Sequence, residues 1–135
     1  MSESITQQHA YGCGVACVAF VTKESYQDVL KVLRADAAQA KGFFCKDLVI
    51  ALDAYGSAYA YKYLKPRLRH QIYNEGVIVY IKKSKYYPVG HYLIRSNGFW
   101  MDSWINFMQD QDIKNAKSGY RIRLPGTPIY ALFPA

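Results

Sequence analysis

The apolar periodicity of the chain changes once, at Gly56. Before it, apolar side chains recur at helical spacing; after it they alternate, as strands with two distinct faces require. Cys13 to about Val21 is apolar nearly all round, which suits a buried central helix. Ser25-Tyr26-Gln27-Asp28 opens a second helix running to about Arg34, with Tyr26, Val29, Leu30 and Leu33 on one face. A third fits Cys45 to Tyr55, with Gly56 as its stop. Downstream, Tyr59, Tyr61 and Tyr63 share one face of a strand, and Gly76 to Ile81 reads as a buried strand. His91–Arg95 and Phe99–Trp104 flank Asn97-Gly98, a strong hairpin turn, and a last strand fits Ile129 to Phe133. Helices first and antiparallel strands second indicate an α+β domain. A length of 135 residues suits a single domain, 1–135, with its own core.

At 51% hydrophobic and 20% charged residues, the composition excludes a disordered chain. No apolar run approaches the length of a membrane span, and the start, MSESITQQ, has neither the basic end nor the apolar stretch of a secretory signal. The expected compartment is the cytoplasm, with delivery to another cell by a dedicated machine as the variant. The three cysteines, Cys13, Cys17 and Cys45, form no CxxC pair, so neither a disulfide framework nor a structural zinc site is expected. Nothing in the sequence calls for a metal or cofactor.

Chemistry concentrates on Cys13. It stands where the apolar helical run begins, and a helix N-terminus favours the thiolate, the reactive form of a thiol. Gly12 permits a sharp turn before it, and Gly14 permits close approach of a substrate to the backbone. The Cys13 backbone N–H and the Gln7 side-chain amide can serve as oxyanion donors. The alternative is a small buried thiol packed like alanine, the reading that suits Cys17. A base is needed, and the histidines are His9, His70 and His91. His91 lies inside a strand signal. A two-residue turn at Asn97-Gly98 sets Ser96 opposite Phe99, Arg95 opposite Trp100 and Ile94 opposite Met101, which puts His91 and Asp102 on one face as diagonal neighbours. A carboxylate so placed can orient an imidazole.

Gln7–x5–Cys13-Gly14-Val15-Ala16-Cys17, Gly90-His91-Tyr92-Leu93 and Asp102, in that order, resemble the papain-like cysteine peptidases, and most of all the bacteriocin-processing peptidases that cut after double-glycine leaders. The resemblance runs over nearly the whole chain. It implies N-terminal helices packed on a C-terminal antiparallel sheet, and a thiol hydrolase working through an acyl-enzyme on a peptide or protein. Cys13 would be the nucleophile, His91 the base, Asp102 the orienting acid and Gln7 the oxyanion donor, with Gly14, Gly90 and Trp104 beside the substrate. That family usually follows its acid with proline; here Ser103 follows.

A second reading comes from charge. The net charge is +7, and tyrosines interleave with Lys62, Lys65, Arg67 and Arg69, and again with Lys82, Lys83 and Lys85. Cations bind phosphates and tyrosines stack on bases, so an RNA-binding or RNA-cleaving toxin on the same scaffold is the alternative. Its partners would be RNA and a cognate inhibitor or immunity protein. A non-catalytic binding domain is the third reading.

Overall fold

The computed structural model describes residues 2–40, 42–108 and 110–135. Four helices come first: α1 (Cys13–Thr22), α2 (Tyr26–Val32), α3 (Ala35–Ala40) and α4 (Cys45–Ala54). Six strands follow: β1 (Tyr59–Tyr63), β2 (Ile78–Ile81), β3 (His91–Ser96), β4 (Phe99–Asp102), β5 (Gly119–Arg121) and β6 (Pro128–Pro134). They form one antiparallel sheet in the order β1-β6-β2-β3-β4-β5. This is the expected α+β arrangement. No helix among the described residues is long and apolar enough to cross a membrane.

The local signals explain the helix ends. Ser25 caps α2, its hydroxyl accepting from the Asp28 N–H at 3.0 Å. At the start of α4 the Phe44 N–H donates to the Asp47 carboxylate at 2.9 Å. Gly56, at φ +83°, ends α4 in the left-handed region. Four elements lie outside the sequence expectations. These are α3, the 3-10 helices Pro66–Tyr73 and Ile113–Asn115, and the short strand β5. The hairpin strand β4 stops at Asp102 rather than Trp104, because residues 103–106 form a turn.

Alternation along the strands builds a core on each side of the sheet. Tyr92 and Ile94 of β3, Met101 of β4 and Leu132 of β6 meet α1 and α4 on one face. Leu93, Trp100, Val79 and Ile81 meet the segment around Leu64 and Ile72 on the other. Helix α1 has no polar face because it is enclosed: Val15, Ala16, Cys17, Val18 and Ala19 have no exposed surface. Each fully buried valine or leucine there contributes about 1.5–3 kcal/mol. The hairpin register is the one the Asn97-Gly98 turn dictates, with Ile94↔Met101, Arg95↔Trp100 and Ser96↔Phe99. Asn97 and Gly98 both have positive φ, 52° and 83°. His91 and Asp102 therefore share the face of Leu93 and Trp100, at one end of the sheet.

Candidate active site

The site forms where the N-terminus of α1 meets that sheet end. The segment before α1 is pinned on several sides: Gly12 N–H donates to the His9 carbonyl at 3.0 Å and Tyr11 N–H to the Ala38 carbonyl at 2.8 Å. Gly12 is required by space rather than by backbone angle. A Cβ there would sit 2.0 Å from the Tyr26 hydroxyl oxygen, which bonds His9 Nδ1 at 3.0 Å. No side chain caps α1, so its first-turn dipole acts on Cys13 itself. Cys13 is 8% exposed, through the cavity that His91, Gly90, Tyr11 and Phe43 also line. The Tyr92 backbone N–H donates to Cys13 Sγ at 3.5 Å.

His91 is 4% exposed and Asp102 is fully buried. His91 Nε2 lies 2.7 Å from Asp102 Oδ1, which leaves Nδ1 for the thiol. Burial alone would lower the His91 pKa, but the Asp102 charge and hydrogen bond, joined by the hydrogen bond and charge of Cys13, raise it to about 10. Burial would raise the Asp102 pKa; the His91 charge and hydrogen bonds from His91, Arg121 and the Trp104 N–H lower it to about 2. At neutral pH the arrangement therefore carries a proton on the imidazole and none on the carboxylate.

Two partners of this pair were not legible in the sequence. Arg121 Nε donates to Asp102 Oδ2 at 2.6 Å, and its Nη2 donates to the Ile105 carbonyl at 3.1 Å. No motif marks Arg121 in the sequence; β5 brings it opposite Trp100, beside Asp102. Tyr87 stacks on the His91 ring at 4.5 Å with the planes 3° apart, and Phe107 stacks behind Tyr87 at 5.3 Å. Tyr87 is therefore a buried wall of the site, not an exposed platform for bases.

The remaining candidates separate. Gly90 lines the cavity, as expected. It adopts φ +82°, and a Cβ there would lie 2.2 Å from the Tyr80 hydroxyl oxygen, which donates to the Val89 carbonyl at 2.6 Å. Gly90→Ala is expected to cost about 3 kcal/mol or more, from left-handed backbone and overpacking together; a thermal midpoint within a degree of the parent would contradict this loop conformation. Gly14 is not among the residues that line the cavity; its Cα faces the Leu48 side chain, where a Cβ would meet Leu48 Cδ2 at 2.9 Å. Trp104 gives its backbone N–H to Asp102, but its indole N–H goes to Gln111 at 2.9 Å and its ring lies outside the cavity wall. Gln7 is buried beside the site, with Oε1 accepting from the Ser103 hydroxyl at 2.7 Å. Its Nε2 donates to the His9 and Ala10 carbonyls at 3.0 and 3.2 Å, so both amide hydrogens hold the segment before Cys13. Ser103, standing where the resembled family usually has proline, thus ties Gln7 to the Asp102 turn. The basic residues Lys62, Lys65, Arg67, Arg69, Lys82, Lys83 and Lys85 are all exposed. Lys62 is in β1 and Lys65, Arg67 and Arg69 follow it, while Lys82, Lys83 and Lys85 follow β2; the two strands are not neighbours, and β6 lies between them.

A central helix that presents a cysteine to a histidine on an antiparallel sheet is the papain-like cysteine peptidase fold. Among solved structures the chain is similar to the peptidase domain of Streptococcus ComA, a bi-functional ABC transporter involved in a quorum-sensing pathway. The match covers 100% of both chains with a TM-score of 0.62 at 18% identity, a likeness of fold. No family model and no curated protein matches the chain.

Proposed function

We propose that the protein is a thiol hydrolase that cleaves a peptide or protein through an acyl-enzyme, with Cys13 as nucleophile. The observation that carries this reading is that Cys13, at the uncapped start of α1, lines one cavity with a His91 held by Asp102 at 2.7 Å. Cys13 attacks as thiolate, the reactive form of a thiol, with the proton held on the imidazole. Sulfur bonds to the scissile carbonyl carbon, the oxyanion takes the Cys13 backbone N–H, and the C–N bond breaks as His91 gives its proton to the leaving amine. Water then attacks the thioester, His91 takes its proton, and the sulfur departs as thiolate. Gln7 supplies a second oxyanion donor once one of its amide hydrogens leaves the His9 or Ala10 carbonyl. Arg121 acts through Asp102: it fixes the carboxylate and offsets part of its charge, so the acid orients the imidazole more than it traps the proton.

The test is selective chemistry at the thiol. Alkylation near pH 6 is expected to mark Cys13 first. Cys17 has no exposed surface, and burial pushes the pKa of Cys17 and Cys45 up. Peptide-library turnover should disappear with the labelled fraction. Equal labelling of the three cysteines, or turnover that survives complete modification of Cys13, would remove this function.

A further inference from the structure

The excess positive charge of this chain falls in one stretch. Residues 54–101 contain eight lysines and arginines and one acid, Glu75; this net +7 equals that of the whole chain, and the nine basic and nine acidic residues elsewhere cancel. The acid is turned away from the site: Glu75 accepts from the Asn97 N–H at 2.8 Å, at the hairpin end of the sheet. Arg95 is spent too, its guanidinium lying 5.1 Å from the Tyr73 and Trp100 ring centres. The other seven are exposed, and of these Lys62, Lys65, Arg67, Arg69, Lys82 and Lys83 make no ion pair among the described residues.

Topology brings part of this set to the sheet end that holds the thiol. Ile81 pairs with His91, and Lys82 is the next residue, its N–H donating to the Thr127 carbonyl at 2.8 Å. Lys82 and Lys83 begin the connection whose later residues, Tyr87 to Gly90, form the cavity wall. On the other side of β6, Leu64 N–H donates to the Ile129 carbonyl at 2.9 Å, and Lys65 and Arg67 follow. The start of β6 is thus flanked by cations from both sides, next to the cavity.

We propose that this rim binds an acidic segment of the peptide that occupies the cleft, which sets the substrate class as a chain with a carboxylate-rich flank beside the reacting bond. The inference rests on the cleft being a peptide site. Peptide is favoured over RNA by the chemistry at the rim's edge. His91 is buried, with Nε2 on Asp102, and it lines the same cavity as Cys13, so a ligand that reaches the imidazole meets the thiol as well. The Tyr87 ring that would stack a base is packed on His91. Exposed cations next to a cleft raise the local concentration of an anionic ligand and speed its encounter.

The experiment compares two fluorescent peptides with a common core, one flanked by an aspartate run and one by a serine run, by anisotropy on the wild-type chain. The acidic peptide is expected to bind about tenfold more tightly at low salt, with the advantage shrinking at high salt as the charges are screened. Lys82→Glu with Lys83→Glu should abolish the difference, and Arg67→Glu, across β6, should reduce it; all three positions are exposed, so circular dichroism should stay at the parent's. Equal affinity for the two peptides at low salt overturns the proposal. So does single-stranded RNA that binds more tightly than the acidic peptide and loses that binding in the charge-reversal variants, which would assign the rim to nucleic acid. Failure of the hydrolase reading is seen separately, as absence of selective Cys13 labelling, because peptide binding needs no reaction at the thiol.

Discussion

Cys13→Ser is expected to lower peptide turnover by about 10⁴-fold or more while leaving the fold and the thermal midpoint close to the parent's. The large kinetic effect follows from the nucleophile. At neutral pH the His91 proton sits on an imidazole whose pKa is raised to about 10, chiefly by Asp102, which outweighs the lowering effect of burial. That state serves a thiolate partner. A serine hydroxyl in the same place keeps its proton and finds a base already protonated, so attack loses both nucleophilicity and proton acceptor. The small structural effect follows from size: oxygen for sulfur leaves Gly12, Gly14 and the α1 packing untouched. Turnover within tenfold of the parent would show that another group performs the attack. Loss of turnover together with loss of the fold would be settled by Cys13→Ala, which fills the site with an apolar group and should fold equally well.

The second large effect is on stability. Asp102→Ala removes the common acceptor of His91 at 2.7 Å and Arg121 at 2.6 Å, leaving the guanidinium and the buried imidazole without their partner. Breaking a buried pair in this way costs about 3–5 kcal/mol. The pH dependence carries a distinct sign. His91 has a raised pKa, so its contribution is complete below about 6.5, its ordinary value, and is lost as pH rises through about 10. Asp102 has a lowered pKa, so its contribution is present above its ordinary value and is lost as pH falls through about 2. Both are present together from about pH 4 to about pH 6.5, where the deficit of Asp102→Ala should be greatest. It should narrow toward pH 10 without vanishing, because Arg121 keeps its charge there. Chemical denaturation across this range is the measurement. A deficit that does not change with pH would mean that the pair is not ionised in the folded protein.

Much of the architecture was legible locally. The all-apolar run after Cys13, the Ser25 cap and the positive-φ Asn97-Gly98 turn are decided within a few residues, so α1, α2 and the β3–β4 register could be read directly, and with them the diagonal approach of His91 to Asp102. Other elements have no such signature. Helix α3, Ala-Asp-Ala-Ala-Gln-Ala, lacks an apolar stripe, and β5 has three residues, too few to show alternation; it exists as a strand only because β4 offers an open edge. Gly14 looked free to meet a substrate, and only packing reveals that Leu48 occupies that space. The amide of Gln7 had the right chemistry for an oxyanion donor, while the fold gives both of its hydrogens to carbonyls.

By itself the sequence determined the succession of elements, the placement of a cysteine at a helix start and the shared face of His91 and Asp102, because these depend on periodicity and on one turn. The tertiary structure decided which groups surround them. Arg121 reaches Asp102 from 19 positions along the chain, and Tyr87 covers His91 although its neighbours mark it as part of a solvated basic run. Neither contact has a spacing rule, since both arise from connections that the sheet closes at long range. The clamp on Asp102 and the cover over His91 are therefore properties of the folded sheet end and not of any motif in the chain.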